Sequence, residues 1–268
     1  MRSGRASRVV LWLVLAFLYA PIAVLVLYSF NDSRFSAAWQ GFTLRWYARL
    51  FQSPETAAAL VNTLIVSIPS TLVATVLGTL LAVGLHFYRF PGRGMVELLL
   101  FLPVVLPDIL MGVSLLAFYV AAHIPLGRLS IILAHISFQV SFVALVVRGR
   151  LQEFPPALLE AARDLGADQL RAFRHVVLPL LKPGILAGAL IAFALSVDDF
   201  VITYFTAGAG ASTLPIRIYS MVRRGVTPDI NALSTLMLVF TLFVVALALR
   251  LQRAGAERKE SVAPAREP

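Results

Sequence analysis

The 268-residue sequence contains no cysteine. That absence excludes a disulfide framework, thiolate zinc sites and cysteine nucleophiles. Charge is scarce as well, at 14% of residues against about 25% in ordinary soluble domains. Acids are the scarcer sign: 14 Asp and Glu stand against 23 Lys and Arg, for a net charge of +9 and a pI near 10.6. No Gly-x-x-x-x-Gly-Lys-Ser/Thr pattern is present, so the chain lacks the phosphate loop of an ATPase. What is abundant is apolar: 59% of residues are hydrophobic and the mean hydropathy is +0.84. A soluble chain of this length cannot bury that much apolar surface, which excludes a cytosolic enzyme or a secreted globular domain. In a soluble protein the basic surplus would suggest nucleic acid. In a membrane protein it belongs to cytoplasmic loops, and no nucleic-acid partner is expected.

A bilayer core takes about 20 apolar residues per helix. Six stretches qualify: Val9–Phe30, Leu60–Phe87, Met95–Ala122, Leu129–Val147, Gly184–Phe205 and Ala232–Leu251. The expected class is therefore an all-α integral membrane protein with six transmembrane helices. Basic residues divide unevenly between alternate loops. The N-terminus, the second-to-third loop, the fourth-to-fifth loop and the tail hold 16, and the opposite loops hold 7, including Arg34, Arg45, Arg128 and Arg217. Both termini are thus expected in the cytoplasm. Val9–Phe30 is longer than the apolar core of a cleaved signal peptide, about 7–15 residues, and reads as a retained span. On the external side, Trp46, Tyr47, Leu50 and Phe51 have the spacing of a short helix lying in the interface with its aromatic side down. Leu214–Val222, opened by Pro215, reads as a second such helix.

Ionisable groups within a span cost about 2.5–3.5 kcal/mol on insertion scales and so point to function. The intramembrane acids are Asp108, Asp198 and Asp199. At 1.5 Å per residue, Asp108 lies about 18 Å and Asp198 about 21 Å from the cytoplasmic starts of their spans, at one depth. The spans are expected to hold no basic residue that pairs with them. Acids left so in a low dielectric take up protons or await a cation. Asp198 and Asp199 project about 100° apart on a helix, so they cannot face one point. Asp199 shares its face with Gly188, Ala192, Ser196 and Thr203, a small-residue packing stripe. Either acid can line the path while the other caps a broken helix or meets a partner subunit. Asp108, after Pro103 and Pro107, is open to the same alternative as an N-cap. Phe200 and Tyr204 can add cation–π contacts or pack against lipid. His135 is read as a packed, hydrogen-bonded imidazole, and His86, His123 and His175 lie at boundaries or in loops. No metal set and no catalytic triad is visible.

The loop Arg148–Pro183 is too long for a connector. Pro155-Pro156 ends one helix and opens the next, Ala157–Leu165 reads as a helix closed by Gly166, and Asp168–Val177 leads to Leu178-Pro179. The result is a cytoplasmic elbow. Within it, Glu160-Ala161-Ala162, three residues, Gly166, nine residues and Val176-Val177-Leu178-Pro179 resemble the EAA motif of ABC-importer permeases, with Val176 where Ile is usual. Further segments resemble the PotC-type permeases of spermidine/putrescine importers: Leu106–Gly112, Ser196–Thr203, Ser212–Ser220 and Thr227–Thr235.

That resemblance implies a non-enzymatic transport subunit with the type I ABC-importer permease fold in a bacterial inner membrane. Residues 1–251 would be one permease domain, with the coupling loop at 148–183 and a disordered polar tail at 252–268. Glu160, Ala161, Ala162, Gly166, Leu178 and Pro179 would dock the elbow onto an ATPase subunit. The implied partners are a second permease, a dimer of cytoplasmic ATPases holding ATP and magnesium, an external substrate-binding protein, membrane lipid and a polyamine. Asp108, Asp198, Asp199, Phe200 and Tyr204 would contact that substrate, and the chain itself would carry no cofactor. The rival cargoes are ferric iron, thiamine or a related cation. An ion-coupled carrier would leave the elbow unexplained, and a membrane enzyme would lack a nucleophile.

Overall fold

The computed structural model describes residues 3–33, 38–225 and 227–260. Arg2, Arg34 and residues 261–268 of the expected tail lie outside them. The first helices are α1 Ser3–Tyr28, α2 Arg45–Gln52, α3 Pro54–Phe87, α4 Arg93–Val105, α5 Asp108–Ala121 and α6 Arg128–Gln152. The elbow contains α7 Pro156–Asp164 and α8 Gln169–Ala172, then a π-helical turn, Phe173–Val177. After it come α9 Leu178–Asp198, α10 Val201–Thr206, α11 Leu214–Val222 and α12 Pro228–Glu260.

Among the described residues, five helices are long and apolar enough to span a membrane, or six spans if the bent pair α4–α5 counts as one. The all-α, six-span expectation therefore holds, with its third span in two pieces. Arg93–Val105 and Asp108–Ala121 meet at 113°. Pro107 lacks an amide hydrogen and disfavours helical backbone at Leu106, whose ψ is 138°. The bent-back α5 packs on α10. At their contact a Cβ on Gly112 would stand 2.7 Å from Cδ2 of Phe205.

The bundle is organised around α3 and α6. Ser53 caps α3 by accepting from the Thr56 amide (3.2 Å), with Pro54 in the first turn. Ala59, Thr63, Ser67, Ser70, Ala74, Gly78 and Ala82 of α3 are buried. At Gly78 a Cβ would stand 2.8 Å from the Val140 carbonyl oxygen of α6. Lipid supplies no hydrophobic drive between helices, so such small residues permit the close packing that holds them together. Near the start of α4 Glu97 accepts from Arg93 (3.1 Å) and Arg148 (2.9 Å), tying α4 to α6.

Three other expectations change. The fifth span starts earlier and stops sooner than Gly184–Phe205. Helix runs without interruption from Gln169 to Asp198, through Pro179 and Pro183, and breaks at Asp199. Pro179 falls in the first turn of α9, where a missing amide costs little, and the π turn absorbs the register change before it. Helix α2, expected to lie in the external interface, turns its aromatic side into the protein instead. Trp46 and Leu50 are buried against Ala59, Val197, Leu214, Leu233 and Met237. The Trp46 indole donates to the Asn31 carbonyl (2.7 Å), and Phe51 alone of that set stands largely exposed, at 78%. The last helix, α12, continues as helix to Glu260.

Candidate functional site

Asp108, Asp198, Asp199 and Phe200 line one cavity of about 390 Å³, walled by Pro103, Phe138, Phe142, Ile191, Thr241 and Val245. The two helix breaks put them there. The bend at Pro107 opens α5 with Asp108 in its first turn, where an acid suits the helix dipole. Pro107, not Asp108, occupies the N-cap position, and the Asp108 residue is exposed. The break after α9 leaves Asp198 as its last residue, also exposed.

The neighbouring acid is differently engaged. Asp199 accepts from the Thr203 amide (2.7 Å), the Thr203 hydroxyl (2.7 Å) and, at 3.4 Å, the Ile202 amide. It therefore satisfies the otherwise orphaned donors at the start of α10. Its Oδ2 also lies 3.3 Å from Nε2 of His135, a residue only 1% exposed. The other ring nitrogen of His135 lies 2.7 Å from the Ser196 hydroxyl, and Nε2 lies 2.9 Å from that of Thr203. Ser196 in turn donates to Ser67 (3.0 Å). One polar chain thus joins α3, α6, α9 and α10. It corrects the expectation that the intramembrane acids stand without a basic partner: the partner of Asp199 is a histidine. The reading of His135 as a packed, hydrogen-bonded imidazole holds, as does the shared face of Asp199, Ser196 and Thr203.

Phe200 and Tyr204 meet at 5.4 Å between ring centroids. Both also contact Tyr219 of α11, at 4.8 Å and 5.8 Å. Tyr219 was missed as a site residue: its spacing marked it as interfacial, and nothing local shows that α11 folds back beside Asp198. Thr241 of α12 was missed for the same reason.

The elbow residues lie far along the chain from this cavity. Pro156 opens α7, and Gly166 ends its turn in the left-handed region at φ +81°. There the Ala167 amide donates to Ala162 (3.0 Å) and the Gly166 amide to Arg163 (2.8 Å), as in a glycine-terminated helix end. The Asp168 carboxylate caps α8 by accepting from the Arg171 amide (2.8 Å). Glu160, Ala161, Gly166, Leu178 and Pro179 are exposed, Ala162 is half-buried, and Leu165 stands 89% exposed. Leu159, Phe173 and Val176 hold the elbow to the bundle core. A cavity of about 500 Å³ behind it is lined by Leu80, Phe87, Leu159, Arg163 and Phe173. With Arg163 its only charged wall residue, that cavity does not suit a cation.

Residues 74–260 match the family model described as the inner membrane component of binding-protein-dependent transport systems. The chain belongs to that family. It is 40% identical, over 91% of its length and 95% of the relative's, to a spermidine/putrescine transport system permease protein PotC of Haemophilus influenzae. It is 43% identical, over 86% of its own length and 84% of the relative's, to the putrescine transport system permease protein PotI of Escherichia coli. Its fold matches a chain of a bacterial ABC transporter that imports the acidic polysaccharide alginate, with a TM-score of 0.69, 20% identity and 94% of each chain covered. That likeness supports the type I importer fold and, at such identity, nothing about cargo.

Proposed function

We propose that this chain is one permease subunit of an ATP-driven polyamine importer, lying in the bacterial inner membrane with both termini in the cytoplasm. The observation that carries the cargo is the pair of exposed carboxylates, Asp108 and Asp198, lining one cavity in a chain whose relatives are named for spermidine and putrescine. Carboxylates within membrane spans favour a cation over no occupant, and an alkylammonium supplies both charge and apolar methylenes. Phe200 offers its ring face to the same ligand, with Tyr204 packed against it. Asp199, which lines the same cavity, also holds the break that presents Asp198.

The remaining machinery is external to the chain. A second permease completes the path, and an external binding protein delivers the polyamine. A dimer of separate ATPase subunits binds ATP and magnesium and meets the elbow through Glu160, Ala161, Ala162, Gly166, Leu178 and Pro179. ATP binding closes the ATPases and moves the elbows, turning the path outward, and hydrolysis resets it.

The test is uptake of labelled spermidine and putrescine in cells without other polyamine importers, expressing the full system with and without its ATPase. Uptake that stops without the ATPase supports the reading. Uptake that persists and collapses with the proton gradient would assign an ion-coupled carrier instead. Uptake of thiamine or ferric iron in place of polyamines would move the cargo. Within the system, Gly166→Asp is expected to abolish uptake while the protein still inserts, because no L-residue sits easily at φ +81° and the added charge faces the docking partner.

A further inference from the structure

Asp198 and Phe200 also line a second cavity, of about 440 Å³, on the side of α11 and α12. Thr241 lines both cavities, so the wall between them is shared. The second cavity contains one acid, Asp198, and two ring faces, those of Phe200 and Tyr219, packed 4.8 Å apart. Two observations say what that wall accepts. The guanidinium carbon of Arg223 stands 5.7 Å from the Tyr219 ring centroid, so this ring already faces a cation. The Thr241 hydroxyl oxygen is buried with no hydrogen-bond partner among the described residues. An unsatisfied hydroxyl in the wall of a cavity that a carboxylate also lines suits a ligand that brings several donors on one positive centre.

We propose that Tyr219, with Phe200, Asp198 and Thr241, forms a second ammonium subsite, which takes one end of an alkylpolyamine while the Asp108 cavity takes the other. The ammonium donates to Asp198 and Thr241 and rests on the ring of Tyr219, and the adjoining methylenes lie along Ile218 and Met237. Tyr219 is then a residue that selects polyamines over compact cations, because a metal ion cannot span both cavities. This inference rests on the polyamine reading above.

The experiment is equilibrium binding of labelled spermidine to the purified complex of both permeases and the ATPase, without the external binding protein, in nucleotide-free and ATP-trapped forms. Tyr219→Leu keeps apolar bulk and removes the π face. It is expected to weaken binding roughly fivefold or more. Tyr219→Phe keeps the face and is expected to bind within about twofold of wild type, since the attraction is to the ring. Co-purification of the ATPase and basal ATP hydrolysis report assembly for each variant. Wild-type affinity in Tyr219→Leu would overturn the subsite, and so would a Tyr219→Phe as weak as Tyr219→Leu, which would assign the hydroxyl or the packing. Absence of any polyamine uptake by the wild-type system would overturn the cargo reading and the subsite with it. Normal uptake with an unmoved Tyr219→Leu affinity would remove the subsite alone.

Discussion

Two breaks flank one cavity, between α4 and α5 and between α9 and α10, and they are made by opposite means. At the first, the chain withholds a donor: Pro107 has no amide hydrogen, Leu106 is forced extended, and α5 leaves at 113°. At the second there is no proline. The break is held by acceptors and donors in excess, with Asp199 taking three hydrogen bonds from α10 and lying beside buried His135. A proline break is written into the covalent chain, and here the packing of α5 on α10 supports it as well. A capped break exists only while its partners are in place. The second is therefore the more fragile and the better suited to respond to movement elsewhere.

Four substitutions separate these two designs. The largest effect is expected from Asp199→Ala, which strips the cap from α10 and leaves His135 buried without its acid. The loss should be about 3 kcal/mol, read as a lower melting temperature of the solubilised complex. A stability equal to wild type would show that packing alone makes this break. Next, Asp198→Asn should lower polyamine uptake at least tenfold, about 1.4 kcal/mol, while the melting temperature stays near wild type. If it melts as early as Asp199→Ala, the two adjacent acids share one structural role. Gly112→Ala pushes a methyl into Phe205 and should destabilise by about 1 kcal/mol, less than Asp199→Ala because a ring can shift. The smallest effect belongs to Pro107→Ala. The packing of α5 on α10 should preserve the bend, with a change within about 1 kcal/mol. A lost bend, seen as loss of a crosslink engineered between α5 and α10, would show that the proline alone holds it.

The sequence makes some of this legible and conceals the rest for physical reasons. The spans are readable because lipid demands about 20 apolar residues, and α11 because Pro215 marks its opening within two residues of the observed start. The elbow is readable because Pro156 and Gly166 act locally on their own backbone. The pairing of His135 with Asp199 is not, since 64 positions separate them and only the packing of α6 on α9 brings them together. The burial of Trp46 was half legible. Its helical spacing shows that one face of α2 is covered, and an amphipathic pattern reads the same whether lipid or protein covers it. Pro107 predicted an interruption, and the angle came from Gly112 and Phe205, which no local rule connects. Residues of the site fall along this line: Asp108 and Asp198 stand out because charge in a span is costly, whereas Tyr219 and Thr241 are ordinary until the fold sets them beside an acid.

The unbroken helix from Gln169 to Asp198 has a mechanical consequence. Its 30 residues make a rod about 45 Å long, with the elbow at one end and the cavity acid at the other. A tilt of about 10° pivoting at the elbow would sweep Asp198 through about 8 Å, more than the reach of a salt bridge. The rod acts as a lever arm, and the capped joint after Asp198 is its free tip. On the proposed function, a small displacement at the elbow would thus become, at the far end of the rod, the difference between holding an ammonium and letting it go.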